Sequence, residues 1–187
     1  MLTKCRIEKI LELVKKEYDY MDNKPIHIID WYDWSRCWCV DITDSDYILR
    51  VDKNFEDYNF MSFYYEYLAK EFNFDLTWAE VDYQNTMNAL VVLHEIGHIQ
   101  QTMNIELTES WAEEMNLAYN NYMETTISMS KEEQLVAYRK ISYEYLADKF
   151  AIEIFNKYAV KILAILNGVS QKEIKSRLEE VEKSVAY

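Results

Sequence analysis

The sequence predicts an α+β fold, mostly helical, with a small antiparallel β-sheet near the N-terminus. Three observations carry that expectation. Only two glycines and one proline occur in 187 residues, too few for the tight turns of an all-β chain. Runs of β-branched and aromatic residues cluster between positions 26 and 52 and then cease. Beyond Asn54, apolar residues recur at helical spacing. The chain is half hydrophobic and 15% aromatic, which is too apolar for disorder despite a net charge of −13. No repeat, linker or low-complexity tract divides it, so one domain over residues 1–187 is expected.

In chain order, residues 3–20 place Ile7, Ile10, Leu11, Leu13 and Val14 on one side of a helix, and Pro25 stops the pattern. Ile26–Asp30, Arg36–Ile42 and Tyr47–Asp52 read as strands, the last two joined as a hairpin through residues 43–46. Cys37 and Cys39 share a face of the middle strand and read as small buried hydrophobes. Helices are predicted near 61–72, 83–102, 111–127, 131–157 and 171–183. Four sites have the form of a capping box, with a hydroxyl residue three positions before a Glu: Thr77/Glu80, Ser110/Glu113, Ser130/Glu133 and Ser170/Glu173. Gly168 after Asn167 fits a helix C-terminus, where glycine takes the left-handed conformation cheaply.

Charge and composition narrow the partners. With 20 Lys and Arg against 33 Asp and Glu, a nucleic-acid backbone is not the expected partner, because phosphate neutralisation needs clustered cations. No stretch approaches the ~18 apolar residues of a membrane span, so no membrane partner is expected. Residues 1–20 lack the uncharged apolar core of a signal peptide. Together with three cysteines and no paired framework, this makes a reducing cytoplasm the expected compartment.

The chemistry concentrates in His94-Glu95-Ile96-Gly97-His98. Two of the chain's three histidines lie four apart here, inside an apolar run from Met87 to Gln101 that is free of proline. Residues i and i+4 project from one face of a helix, so both imidazoles can reach one Zn²⁺ at ~2.0–2.1 Å. Glu95 sits about 100° around the helix from His94. It is near enough to take a proton from a metal-bound water and later pass it to a leaving amine, and it is not placed as the third ligand. The bland alternative is a buried helix with two satisfied histidines.

A third ligand has to come from elsewhere. His27 lies far upstream on a predicted strand. Among the carboxylates, Glu144 is favoured, with Asp148 one turn on and Ala147 and Ala151 lining the same side. Those small residues, with Gly97 opposite, would let two helices approach closely. A glycine inside a helix costs about 1 kcal/mol relative to Ala, so a packing reason is expected there. Asp148 would accept the second N–H of a ligating histidine and fix its tautomer. Of the rivals, Glu113 is explained by a cap, Glu109 and Glu114 as exposed acids of a first helical turn, and Glu106 as a loop residue too near the motif. The alternative for Glu144 and Asp148 is a solvated helix face.

The motif at 94–98, followed by Glu144-Tyr-Leu-Ala-Asp148-Lys-Phe-Ala151, resembles the gluzincin zinc peptidases. The second segment is similar to the Glu-x-x-Ala-Asp-x-Phe-Ala element of CAAX-prenyl-protease and HtpX-type families, with a related element in ImmA/IrrE-like peptidases. Size and the lack of spans bring the chain nearest to a soluble minigluzincin. The resemblance implies a zincin-like fold with the short sheet above the active-site helix. It also implies His94, His98 and Glu144 as zinc ligands and Glu95 as the catalytic acid/base. It covers the two motif helices; the rest of the chain is only compatible with it. The membrane substrates of the prenyl-protease relatives do not transfer, and the DNA-binding domain common in ImmA/IrrE-like proteins has no counterpart here.

The leading expectation is therefore a zinc metallopeptidase acting on a peptide or protein substrate, as an endopeptidase ahead of an exopeptidase. The first alternative is a non-hydrolytic zinc-binding regulatory or partner-binding module on the same fold. The second is a metal-free helical protein. Tyr138, Tyr143 and Tyr145 lie near Glu144 and could donate to an oxyanion, but in a chain with 16 tyrosines core or surface packing accounts for each. The aromatic-acidic stretch Asp30–Trp34 reads equally as the rim of a binding groove or as packing between sheet and helices.

Overall fold

A computed structural model of the chain describes residues 2–18, 21, 24–30, 39–43, 45–51, 58–103 and 109–185. In chain order these form α1 (Lys4–Lys15), β1 (Ile26–Asp30), β2 (Cys39–Ile42), β3 (Tyr47–Val51), α2 (Tyr58–Phe72), α3 (Thr77–Val81), α4 (Tyr83–Met103), α5 (Glu109–Thr126), α6 (Lys131–Arg139), α7 (Ser142–Asn167) and α8 (Gln171–Val185). The α+β expectation holds at that level.

The sheet is mixed rather than antiparallel. Its order is β1-β3-β2, with β1 and β3 parallel, Ile28 opposite Leu49, and β2 and β3 antiparallel, Val40 opposite Leu49. The predicted hairpin is present, but its second strand inserts beside β1. Alternation of side chains says which face of a strand is buried and nothing about which strand is its neighbour. Ile28, Tyr47 and Leu49 are buried on the face toward the helices, and β2 and β3 pack on α4. The Thr102 hydroxyl of α4 lies 3.4 Å from the Tyr47 hydroxyl of β3, a polar tie at the end of the helix.

α4 runs through the centre. Every residue from Thr86 to Ile99 is buried, so it has no solvent face and no amphipathic stripe. Its main partner is α7, and the reason for Gly97 is visible there. A Cβ at Gly97 would lie 3.0 Å from Ala147 Cα, 3.1 Å from Ala147 O and 3.2 Å from the Phe150 ring. Two of these atoms are backbone of α7, which moves only as a rigid unit. Gly97→Ala should therefore destabilise the protein by about 1–2 kcal/mol in urea unfolding, since overpacking at ~1–3 kcal/mol exceeds the ~1 kcal/mol gained in helix propensity. A more stable variant would show that the interface yields.

The single helix expected over 131–157 is two, and the second extends to Asn167. Ser130 caps α6 with a full capping box through Glu133. The chain turns at Lys140-Ile141, and α7 ends at Gly168, whose φ of 71° is left-handed and whose N–H bonds to Ala164 O. Neither Gly nor Pro marks the turn. Arg139 and Asp148 are nine residues apart and would face opposite sides of an unbroken helix. The turn brings them into contact, as described below. The Thr77 box is not formed: the Thr77 N–H bonds to Asp75 Oδ1 with Leu76 at the N-cap. Ser110 falls in the first turn of α5, and its side chain lies outside the described residues. The fourth is half formed: Ser170 Oγ accepts from Glu173 N–H at 3.2 Å, while the Glu173 carboxylate pairs with Arg177 at 2.7 Å. Residues 31–38, with Cys37, Trp31, Tyr32, Asp33 and Trp34, lie outside the described residues, as do Asp52, Glu106 and the side chain of Cys39. No helix of the described residues is long and apolar enough to cross a membrane.

Candidate metal centre

Two elements build the site. α4 carries His94 and His98 one turn apart with Glu95 directly after His94, and α7 carries Glu144 in its first turn and Asp148 one turn later. The close approach at Gly97 and Ala147 sets the two helices near enough for their side chains to meet. Relative exposure is 4% for His94, 7% for Glu95, 5% for His98, 7% for Glu144 and 0% for Asp148. The solvated-face alternative for the two α7 carboxylates is thereby excluded.

His94 Nε2 lies 3.1 Å from His98 Nε2 and 3.1 Å from Glu144 Oε2. His98 Nε2 lies 3.7 Å from Glu144 Oε1. Four donor atoms at ~2.0–2.1 Å from a tetrahedral ion stand about 3.3 Å from one another, and these separations bracket that value. Among the described residues this buried trio is the group able to hold a metal ion. His94 Nδ1 is 2.8 Å from Asp148 Oδ1, so its N–H points to the carboxylate and Nε2 faces inward. That nitrogen, the facing Nε2 of His98 and an ionised carboxylate converge on a single volume.

Asp148 does more than orient His94. The Tyr64 hydroxyl of α2 also donates to Oδ1, and Arg139 Nη1 lies 3.3 Å from it. Arg139 is itself buried. Its Nη1 is 3.5 Å from Glu144 Oε2 and nearly equidistant from both ring nitrogens of His94, at 3.1 and 3.3 Å. An atom in the ring plane at those distances would collide with Cε1, so the guanidinium lies over the ring. The Tyr64 ring covers the guanidinium, with Cζ 4.6 Å from its centroid. A second ring, Tyr143, stacks on His98 at 4.0 Å and 16°. Tyr138 donates its hydroxyl to Glu144 Oε1 at 2.7 Å. Tyr145 packs on Phe72, away from the site.

Arg139 and Tyr64 were not among the residues expected, and Tyr138 was weighed only as an oxyanion donor and set aside as packing. Tyr64 is 84 residues from Asp148 and no local pattern links them. The signal for Arg139 and Tyr138 was their closeness in sequence to Glu144, obscured by reading the segment as one continuous helix. The rivals for third ligand separate cleanly. Glu113 and Glu114 are exposed on α5, the side chain of Glu109 lies outside the described residues, and His27 is an exposed residue beside Asp46 at 3.4 Å.

Burial and charge set the protonation states of the metal-free site. Burial pushes the Glu95 carboxyl up to about 7; the charge of His94 opposes this and that of Glu144 adds to it. Burial and Arg139 pull His94 down, but the charge and hydrogen bond of Asp148 and the bond from Glu144 outweigh them, leaving it at about 9. Burial, with the His94 charge, depresses His98 to about 4. Burial would raise Glu144, but its bonds to both histidines hold it well below the usual carboxylate range. In the metal-free protein at neutral pH, His94 is thus an imidazolium, and its inner proton occupies the place a metal would take. Metal binding near pH 7.5 should release about one proton from His94, and apparent affinity should rise roughly tenfold per pH unit up to about pH 9. Calorimetry in two buffers of different ionisation heat measures that proton; no release would mean that His94 is already neutral.

No family model, curated protein or solved structure matches this chain.

Proposed function

We propose that this protein is a gluzincin-type zinc metallopeptidase with a zincin-like fold. His94, His98 and Glu144 would hold the zinc, with Asp148 orienting His94. The observation that carries the reading is the convergence of two imidazole nitrogens and a carboxylate from a second helix, with Glu95 adjacent to the first histidine. Two nitrogens and one carboxylate oxygen suit zinc and leave a position open. Zinc bound there supplies Lewis acidity toward a water and a peptide carbonyl. Glu95, held near neutrality, can accept a proton and return it to the departing amine, because a general base works best with its pKa near the working pH. Asp148 keeps the His94 proton on Nδ1, and Arg139 offsets the charge of two buried carboxylates. A peptide or protein is the substrate proposed, cleaved internally.

A second reading rests on the burial. Exposures of 4–7% at His94, Glu95, His98 and Glu144 also fit a closed zinc site in a regulatory or partner-binding module. The two separate by screening the zinc-loaded protein against a peptide library with and without chelator. Chelator-sensitive cleavage supports the peptidase; bound zinc with no cleavage of any peptide supports the module.

A further inference from the structure

The Tyr138 hydroxyl is committed to one oxygen of Glu144, and the two oxygens of that carboxylate are not equivalent. Oε2 is 3.1 Å from His94 Nε2. Oε1 is 3.7 Å from His98 Nε2 and accepts the Tyr138 hydroxyl at 2.7 Å. Resting on the metal reading above, we propose that Tyr138 is a positioning residue that makes Glu144 a one-oxygen ligand and so keeps a coordination position free for substrate or water.

The chemistry is a competition for lone pairs. A carboxylate can chelate through both oxygens, as glutamates do at calcium sites. A strong hydroxyl donor on Oε1 draws that oxygen away and leaves Oε2 to face the histidines. Two imidazole nitrogens and one oxygen fill three positions of a four-coordinate ion. A chelating Glu144 would add a fourth protein atom, so that water or substrate could bind only by making the ion five-coordinate. The donor is well held. Tyr138 is the penultimate residue of α6, across the turn from Glu144 in α7. Its ring meets Tyr122 of α5 edge-on at 5.6 Å and faces the Arg139 guanidinium at 5.7 Å. The commitment to Glu144 also removes Tyr138 as a donor to an oxyanion.

Cobalt(II) reports this directly, because a four-coordinate ion absorbs more strongly in the visible than a five-coordinate one. The full chain loaded with cobalt should show the intense four-coordinate bands. Tyr138→Phe, which removes one oxygen atom, should bind cobalt in equal stoichiometry with visibly weaker bands than the wild type. An identical spectrum in Tyr138→Phe overturns the proposal. Absence of cobalt binding by the wild-type protein would instead overturn the metal reading. Should Tyr138→Phe not fold, a crystal structure of the cobalt-loaded wild type decides. One Glu144 oxygen on the ion and the other on Tyr138 is the expected result; both oxygens on the ion would refute it.

Discussion

Glu95→Gln should leave zinc bound at full stoichiometry and reduce peptide hydrolysis by about 10²–10⁴-fold, the usual worth of a positioned acid/base group. The two side chains are nearly the same in shape, so the packing of α4 against α7 is kept. What is lost is the ability to take up and return a proton. Glu95 is buried and sits at about 7, so at neutral pH it is divided between its two forms, and a neutral amide in its place adds no buried charge. The fold should therefore be no less stable than the parent. Elemental analysis gives the zinc content, and hydrolysis of a susceptible library peptide gives the rate. Activity equal to the parent's would remove Glu95 from the mechanism. Loss of zinc along with activity would show that Glu95 supports the metal rather than the proton transfer.

Glu144→Ala should lose the metal and, in the presence of chelator, also lose about 3–5 kcal/mol of stability, the cost of leaving a buried charge without its partner. Two cations depend on this carboxylate: His94, charged in the metal-free protein up to about pH 9, and Arg139, whose Nη1 lies 3.5 Å from Oε2. Asp148 alone would then face both. The pH dependence has a definite sign. Glu144 is held well below its ordinary value, so its contribution is complete above the ordinary carboxylate range and disappears as pH falls toward the depressed value. The gap between Glu144→Ala and the parent should narrow in acid. Glu144→Gln, which retains the volume and one acceptor, should recover part of the stability and little of the metal. Urea unfolding at pH 4 and pH 7 with chelator measures both trends; a gap that widens in acid would contradict the assignment of charges.

Much of this site is written in local sequence because its spacing is helical. His94, Glu95 and His98 obey one periodicity, and Glu144, Ala147, Asp148 and Ala151 obey it again. Gly97 is a costly residue in mid-helix, which flags a close approach before any partner is known, and Ala147 is the residue found against it. The strands found at 26–30 and 47–51 were legible from their β-branched and aromatic residues between turn-forming ones. Their parallel pairing was not, since strand order depends on contacts across the chain. The turn at Lys140-Ile141 was hidden because both flanks are good helix formers and nothing there breaks a helix. Tertiary contacts among Arg139, Asp148 and the α4 ring set it. Tyr64 is the clearest case of a contact that sequence cannot show: one tyrosine of 16, distinguished only by where α2 lies in the fold.

The central claim is that two imidazoles one turn apart on α4 and a carboxylate from α7 share a single divalent ion. Anomalous diffraction at the zinc edge from crystals of the zinc-loaded protein tests this most directly. The account predicts one strong peak, within bonding distance of Nε2 of His94, Nε2 of His98 and an oxygen of Glu144. A peak elsewhere, or none between those three groups at full zinc loading, would contradict it.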